Sequence, residues 1–263
     1  MPSDAHPLGL PLSLTVWAIQ MVVYHGVALA FEALDRTGRL SCYRVRPPDR
    51  LSYRTVMPLV LVNQCLVLLP SMMALEAAGL AYTGAGHLQP LHFILGLAVM
   101  AIGHDVVQYL GHRPQHMFRR LQFLGHGIHH GTTASRAVSA CYMHPADFVF
   151  QIVLPYLVPL VVIGGGGRDI LFHVMTVGLG AIGGLYEHSG YDFAAVFRGR
   201  WKSRPGAAVS RAAAFMVSSH AHAEHHRRSD VSFSDGFGSP GLCDTLMGTR
   251  WDLAVRRKPH TRS

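Results

Sequence analysis

The sequence is short of charge. Only 14% of its 263 residues are Asp, Glu, Lys or Arg, while 49% are hydrophobic. Water-soluble domains carry about 25% charged residues, so an ordinary solvated surface over the whole chain is excluded. Cysteine is scarce too: Cys42, Cys65, Cys141 and Cys243 stand far apart, with no CxxC pair. This excludes a disulfide scaffold and a cysteine-ligated zinc finger, and it suits a reducing compartment. Cys65 lies in an apolar block, where burial is expected. Residues 1–8 hold no Lys or Arg. A cleavable signal peptide needs a positive n-region, so the first apolar run reads as a retained helix. There is no internal repeat, no low-complexity tract, and no GxGxxG after a strand pattern to mark a dinucleotide site. The glycine run at 164–167 falls between apolar blocks and reads as a loop.

What is present is long apolar blocks, at about residues 9–31, 55–75, 91–103, 148–163 and 170–186. About 20 apolar residues in a helix cross a hydrocarbon layer of about 30 Å. The third block continues without a break signal into His104 and Asp105. Pro155 and Pro159 can kink the fourth, which leaves residues 148–186 as either two spans or a shallow hairpin. Asn63 and Gln64, inside the second block, are expected to face other helices rather than lipid. The fold class expected is all-α: an integral membrane helical bundle with a cytoplasmic helical cap that carries a histidine-rich di-metal site.

The net charge of +8 and the pI near 9.7 also suit nucleic-acid binding. Blocks this apolar favour a membrane protein with Arg-rich cytoplasmic segments, and no nucleic-acid partner is expected. Five crossings put residues 32–54, 104–147 and 187–263 on one face, with 6, 4 and 12 Lys and Arg, and leave only Arg168 on the other. The positive-inside rule makes the rich face cytoplasmic. The expected location is a multi-pass protein of the endoplasmic reticulum, or of the inner membrane in a bacterium.

The histidines follow that orientation. His112 and His116 are spaced i, i+4; His126, His129 and His130 read HxxHH; His222, His225 and His226 repeat it. Positions i, i+3 and i+4 share one helical face, so three faces carry two, three and three imidazoles. Neutral imidazole binds Fe, Cu, Zn and Ni. A packed core would not collect unpaired imidazoles, which are costly to bury. A lone histidine is more often a core or surface residue, and His25, His92, His104, His173 and His260 are read so. Eight ligands exceed the needs of one ion, so two metals are expected. Glu224 is the only carboxylate within the spacings, unlike soluble di-iron bundles built on Glu and Glu-x-x-His. Asp105 and Tyr109 lie on the helical stripe of His112 and His116 and are candidates to hydrogen-bond the ligand imidazoles, though Pro114 can kink that stripe. Arg113 is a structural or phosphate-facing cation.

Taken in order, these motifs resemble the membrane fatty acid hydroxylase superfamily, which includes sterol desaturases and sterol C4-methyl oxidases. The resemblance covers roughly residues 95–250: Asp105 and Tyr109 before HisArgProGlnHis at 112–116, then HxxHH at 126–130, then His144, Pro145 and Asp147. HisSerGlyTyrAspPhe follows at 188–193, then HxxHH at 222–226, and Asp244 before Gly248 and Thr249. The chain departs from the pattern with Asp147 where Glu is usual, PheSerAspGlyPheGly at 233–238, Cys243 before Asp244, and an inserted basic stretch at 198–211. The resemblance implies two non-haem Fe ions, O2 as co-substrate, and electrons from a separate donor such as cytochrome b5 or a similar reductase. It adds His188 as a ninth metal ligand, makes His144 a tenth ligand or a substrate-side residue, and gives His144, Asp147 and Asp244 catalytic roles.

The resulting division is residues 1–90 as N-terminal transmembrane helices and an Arg-rich loop, 91–250 as the catalytic domain, and 251–263 as a basic tail. The expected activity is oxygenation of a C–H or methyl group of a sterol, terpenoid or fatty acyl lipid drawn from the bilayer. Desaturation is the close alternative, since hydrogen abstraction begins both. A metal transporter would place its ligands near mid-membrane, whereas these clusters stand at block ends; a catalytically dead scaffold would not keep the full histidine set.

Overall fold

The computed structural model describes residues 9–198, 203–234, 239 and 241–254. The expectations for residues 1–8, for most of the basic tail and for part of the basic insertion lie outside them. The described residues are mostly helical and form no strand, and five helices are long and apolar enough to cross a membrane. These are α1 (Leu12–Thr37), α2 (Tyr53–Ala77), α3 (Pro90–Met117), and, after the short α4 (His126–His130), α5 (Pro145–Val162) and α6 (Ile170–Glu187). Beyond them lie α7 (Arg204–Val217), α8 (His220–Arg228) and α9 (Leu242–Leu246).

The fourth and fifth blocks form two separate helices of 18 residues each, both long and apolar enough to cross a membrane. Proline strain is absorbed locally instead. α5 opens into a π turn at Val149–Val153 just before Pro155, and α2 does the same at Asn63–Leu68 before Pro70. A proline offers no N–H to the carbonyl four residues back and crowds it, and the wider turn relieves both faults without ending the helix. The turn in α2 also aims a side chain. Asn63 donates to the carbonyls of Cys141 (3.0 Å) and Met143 (2.9 Å), and Gln64 meets His25 at 2.9 Å. Both amides are fully buried, facing protein as expected.

α1 packs chiefly along α6, and α3 along α5. Where α3 and α5 cross, a Cβ on Gly103 would stand 2.7 Å from Pro159; only glycine permits that approach, as is common between membrane helices. The start of α1 is capped by a distant carboxylate: Leu12 and Ser13 donate their N–H groups to Glu76 at the end of α2. A negative group there satisfies orphan donors and the helix dipole together.

The connections between the five long helices gather at two opposite ends. At one end the α2–α3 and α5–α6 loops meet, with Tyr82 N donating to Gly165 O (3.1 Å) and Leu88 N to Asp169 (2.8 Å). All four glycines at 164–167 have positive φ, the loop geometry that glycine alone adopts freely. At the other end Val45 N donates to Gly190 O (2.9 Å) and Asp192 N to Tyr43 O (2.8 Å). This second end is the histidine end. Here Arg44 pairs with Asp35 and Arg136 with Glu32, while Arg46 donates to Glu187 O (2.8 Å) and Thr133 O (3.3 Å). Part of the chain's positive charge therefore ties its loops together. All four cysteines are free; Cys141 is buried, whereas Cys65, in the π turn, is only half-buried.

Candidate metal centre

α3 runs on past its apolar part and carries His112 and His116 on its last turns. A six-residue turn (Arg119–Leu124) and Gly125, in the left-handed region at φ +80, reverse the chain into α4 with His126, His129 and His130. A Cβ at position 125 would stand 2.5 Å from the His144 side chain. His188 directly follows α6, and α8 supplies His222, His225 and His226.

These nine imidazoles converge, and they do so as two groups. His112, His116, His126, His130 and His225 form one; His129, His188, His222 and His226 form the other. In each, one donor atom per residue lies within 4.8 Å of every other. Each HxxHH motif is divided between the groups. On α4, His126 and His130 face the first and His129 the second; on α8, His225 faces the first and His222 and His226 the second. The groups adjoin, with the His130 and His226 rings stacked at 4.6 Å.

The outer nitrogens are committed to protein. His112 Nδ1 lies 2.7 Å from Phe233 O, His225 Nδ1 2.7 Å from Val231 O, and His126 Nδ1 2.9 Å from Asp147 Oδ2. In the second group His226 Nδ1 meets Thr132 O (3.1 Å), His129 Nδ1 meets Tyr142 O (3.3 Å) and His188 Nδ1 meets Ser139 Oγ (3.3 Å). A carbonyl or carboxylate can only accept, so Nδ1 carries the proton in His112, His126, His129, His225 and His226. Their Nε2 atoms are then bare lone pairs. Yet His112 Nε2 and His126 Nε2 are 3.0 Å apart, His116 Nε2 is 2.9 Å from the latter, and His226 Nε2 is buried without a partner. Lone pairs do not gather at that distance around nothing. With metal–nitrogen bonds of about 2.0–2.1 Å, cis ligands stand about 3 Å apart, which is the spacing seen. The residues fit bound cations, and imidazole suits Fe, Cu, Zn and Ni.

Burial holds the ligands neutral. It is the main cause, with neighbouring histidines second, of lowering the His126, His188, His222, His225 and His226 pKa values well below normal. Burial likewise pushes His129 down to about 4 and His130 to about 3. Neutral imidazole is the ligating form.

The remaining candidates fall into place differently. Asp147, fully buried, fixes the His126 tautomer, the outer-partner arrangement that also raises ligand basicity. His144 belongs to neither group; it caps α5, accepting from Ala146 N (3.3 Å). Asp244 accepts from Phe233 N, Ser234 N and Thr249 Oγ1 (3.0, 2.7 and 2.6 Å). It thereby shapes the turn whose Phe233 carbonyl holds His112. The stripe pointed Asp105 and Tyr109 at imidazoles. Instead, Asp105 accepts from Ser239 Oγ, Leu242 N and Cys243 N at 3.0 Å each, and Tyr109 OH meets Thr249 Oγ1 (3.2 Å) and Arg113 (2.8 Å). Arg113 is thus a structural cation over the Tyr109 ring. Glu224 pairs with Arg227 on the exposed side of α8. The carbonyls of Phe233, Val231, Thr132 and Tyr142 escaped sequence reading, because a backbone partner leaves no residue-type signal.

A model of the fatty acid hydroxylase family matches residues 97–249. The chain belongs to that family. The match opens on α3 and closes at Thr249, so it contains every histidine of both groups. Among curated relatives, fatty acid hydroxylase domain-containing protein 2 of Macaca fascicularis is 26% identical over 238 residues, covering 86% of this chain and 62% of that protein. Its namesake in Homo sapiens is 25% identical over 237 residues, with the same coverage. The chain thus spans less than two thirds of these relatives' length. No solved structure matches it.

Proposed function

We propose that this protein is a membrane-bound non-haem di-iron oxygenase that hydroxylates, or oxidises a methyl group of, a sterol, terpenoid or fatty acyl lipid. The observation that carries the reading is the pair of adjoining imidazole groups, with bare Nε2 atoms turned inward, at the ends of apolar helices. In this reading His112, His116, His126, His130 and His225 hold one iron, and His129, His188, His222 and His226 hold the other. Bound iron would supply activation of O2 for attack on an unactivated C–H bond. The chain's own part is to keep nine imidazoles neutral, fix their tautomers and exclude water from the inner face. Asp147 holds the Nδ1 proton of His126, and Asp244 sets the Phe233 carbonyl under His112; both position ligands. His144 stands on the substrate side.

The catalytic unit is taken as residues 91–250, with residues 1–90 as its membrane scaffold and 251–263 as a basic tail. The Lys and Arg count supports a cytoplasmic centre, in the endoplasmic reticulum or a bacterial inner membrane. The electron pair that O2 reduction needs comes from a separate donor such as cytochrome b5 or a similar reductase. The same ligand set serves desaturation, in which the substrate loses a second hydrogen rather than gaining oxygen. Ligands at helix ends, rather than at mid-membrane on broken helices, speak against a metal transporter.

The test is direct. The purified protein is assayed for metals per chain, then supplied with O2, reductant and candidate sterols and acyl lipids, and products are read by mass. Two irons per chain and a product heavier by one oxygen atom are expected. Fewer than two metals, or an H126A variant with undiminished turnover, overturns the reading.

A further inference from the structure

α9 follows the last membrane span by more than fifty residues of chain, yet it does not stay at the cap. Its first N–H groups, Leu242 N and Cys243 N, donate to Asp105, as does Ser239 Oγ. Asp105 is completely buried and sits inside α3. Its depth follows from helix length. α3 has 28 residues and is about 42 Å long at 1.5 Å per residue. A hydrocarbon layer of about 30 Å then contains Asp105, about 22 Å along the helix, wherever the layer is set between the helix ends. An ionisable side chain at that depth must find partners, and those partners belong to the segment that leads into α9.

The outward side of the segment is mostly apolar, its one exposed hydroxyl, on Thr245, accepting from Arg250 at 3.2 Å. Leu242, Leu246 and Met247 are 40%, 82% and 56% exposed. They continue the uncovered apolar surface of α3, where Ile102 is 46% and Leu110 66% exposed. The inward side is fastened: Tyr109 meets Thr249, and Asp244 holds Phe233 N. α9 therefore has one face bolted to a membrane helix and an outward face that is apolar at Leu242, Leu246 and Met247.

We propose that residues 242–247 re-enter the bilayer beside α3, where Leu242, Leu246 and Met247 contact lipid acyl chains. The occupant of this face is the leaflet on the histidine side. Continuity with the lipid-facing surface of α3 and the depth of Asp105 both select it over a soluble partner. The re-entrant segment is also joined through Asp244 and Phe233 O to His112, so lipid contact and one ligand of the five-histidine group share a single rigid connection. The inference concerns membrane placement and stands whether or not the chain is an oxygenase.

The experiment uses the full wild-type chain in phosphatidylcholine vesicles. One sample contains lipid with a diazirine on the acyl chain, and a second receives a water-soluble diazirine; after photolysis, labelled peptides are mapped by mass spectrometry. The peptide holding residues 242–247 should take acyl-chain label at a level comparable to the α3 peptide, and little aqueous label. The D105N variant, which weakens the anchor, should move label several-fold toward the aqueous probe. Dominant aqueous labelling of the wild type overturns the proposal. So does absence of both labels, which would mean that protein covers this face. Metal content and activity are not read, so failure here is separate from failure of the oxygenase assignment.

Discussion

The two histidine groups share a composition and differ in their supports. The five-histidine group rests on a carboxylate, Asp147, and on the carbonyls of Phe233 and Val231 beyond α8. The four-histidine group rests on Ser139 Oγ and on the carbonyls of Tyr142 and Thr132, all in the connection between α4 and α5. An ionised partner strengthens the histidine it holds more than a neutral one does. The first group is thus electronically richer and tied to the chain's far end. The second is held by neutral groups and by one short stretch of backbone.

The comparison can be broken at its strongest point. Replacing His225 by Ala, which leaves four imidazoles in each group, should sharply lower turnover and weaken metal binding at one of two sites in a competition titration, with the other site unchanged. Loss of all metal would show that the groups do not bind independently. Next in size, D147N leaves a neutral acceptor at His126, and losses of outer partners typically cost about 10–100-fold in metal affinity or activity. The loss should appear as weakened affinity at one of two sites in a competition titration. The equivalent change in the other group, S139A, removes only a neutral, 3.3 Å contact to His188. Its effect should be several-fold smaller and confined to the other site.

Acid should act on both groups, and its sign is fixed. His129 and His130 are pushed down to about 4 and about 3 by burial, against about 6.5 in an unfolded chain. Below about pH 6.5 the unfolded state binds more protons, so stability falls as pH falls. Thermal unfolding of the metal-free protein in detergent should move to lower temperature from pH 7 to pH 4. It should not respond to these groups between pH 7 and pH 8. Bound metal should raise the unfolding temperature and steepen its fall in acid, since metal keeps protons off the native nitrogens while the unfolded chain still binds them.

Much of this was legible in the sequence. The apolar blocks gave five helices because backbone groups in hydrocarbon must bond within their own segment. Their ends moved by a few residues; α1 runs to Thr37 rather than stopping near Phe31, since its polar last turns still bond along the helix. The clusters announced a metal site through i, i+3, i+4 spacing. The same rule misled for Asp105. A stripe shows which side chains share a face, and Pro114 lies within α3 without breaking it. What meets that face depends on a segment more than a hundred residues away.

The sequence by itself determined the membrane bundle, the three histidine-bearing helices and the end of the bundle where they lie, because apolar length, helical periodicity and Arg placement are local properties. The tertiary structure alone decided how nine imidazoles divide into five and four. Each HxxHH motif puts three rings on one face, but that face is about 100° wide and looks into two sites at once. The carbonyls of Phe233, Val231, Thr132 and Tyr142 turn each ring to one side or the other, and their positions follow from the packing of distant segments.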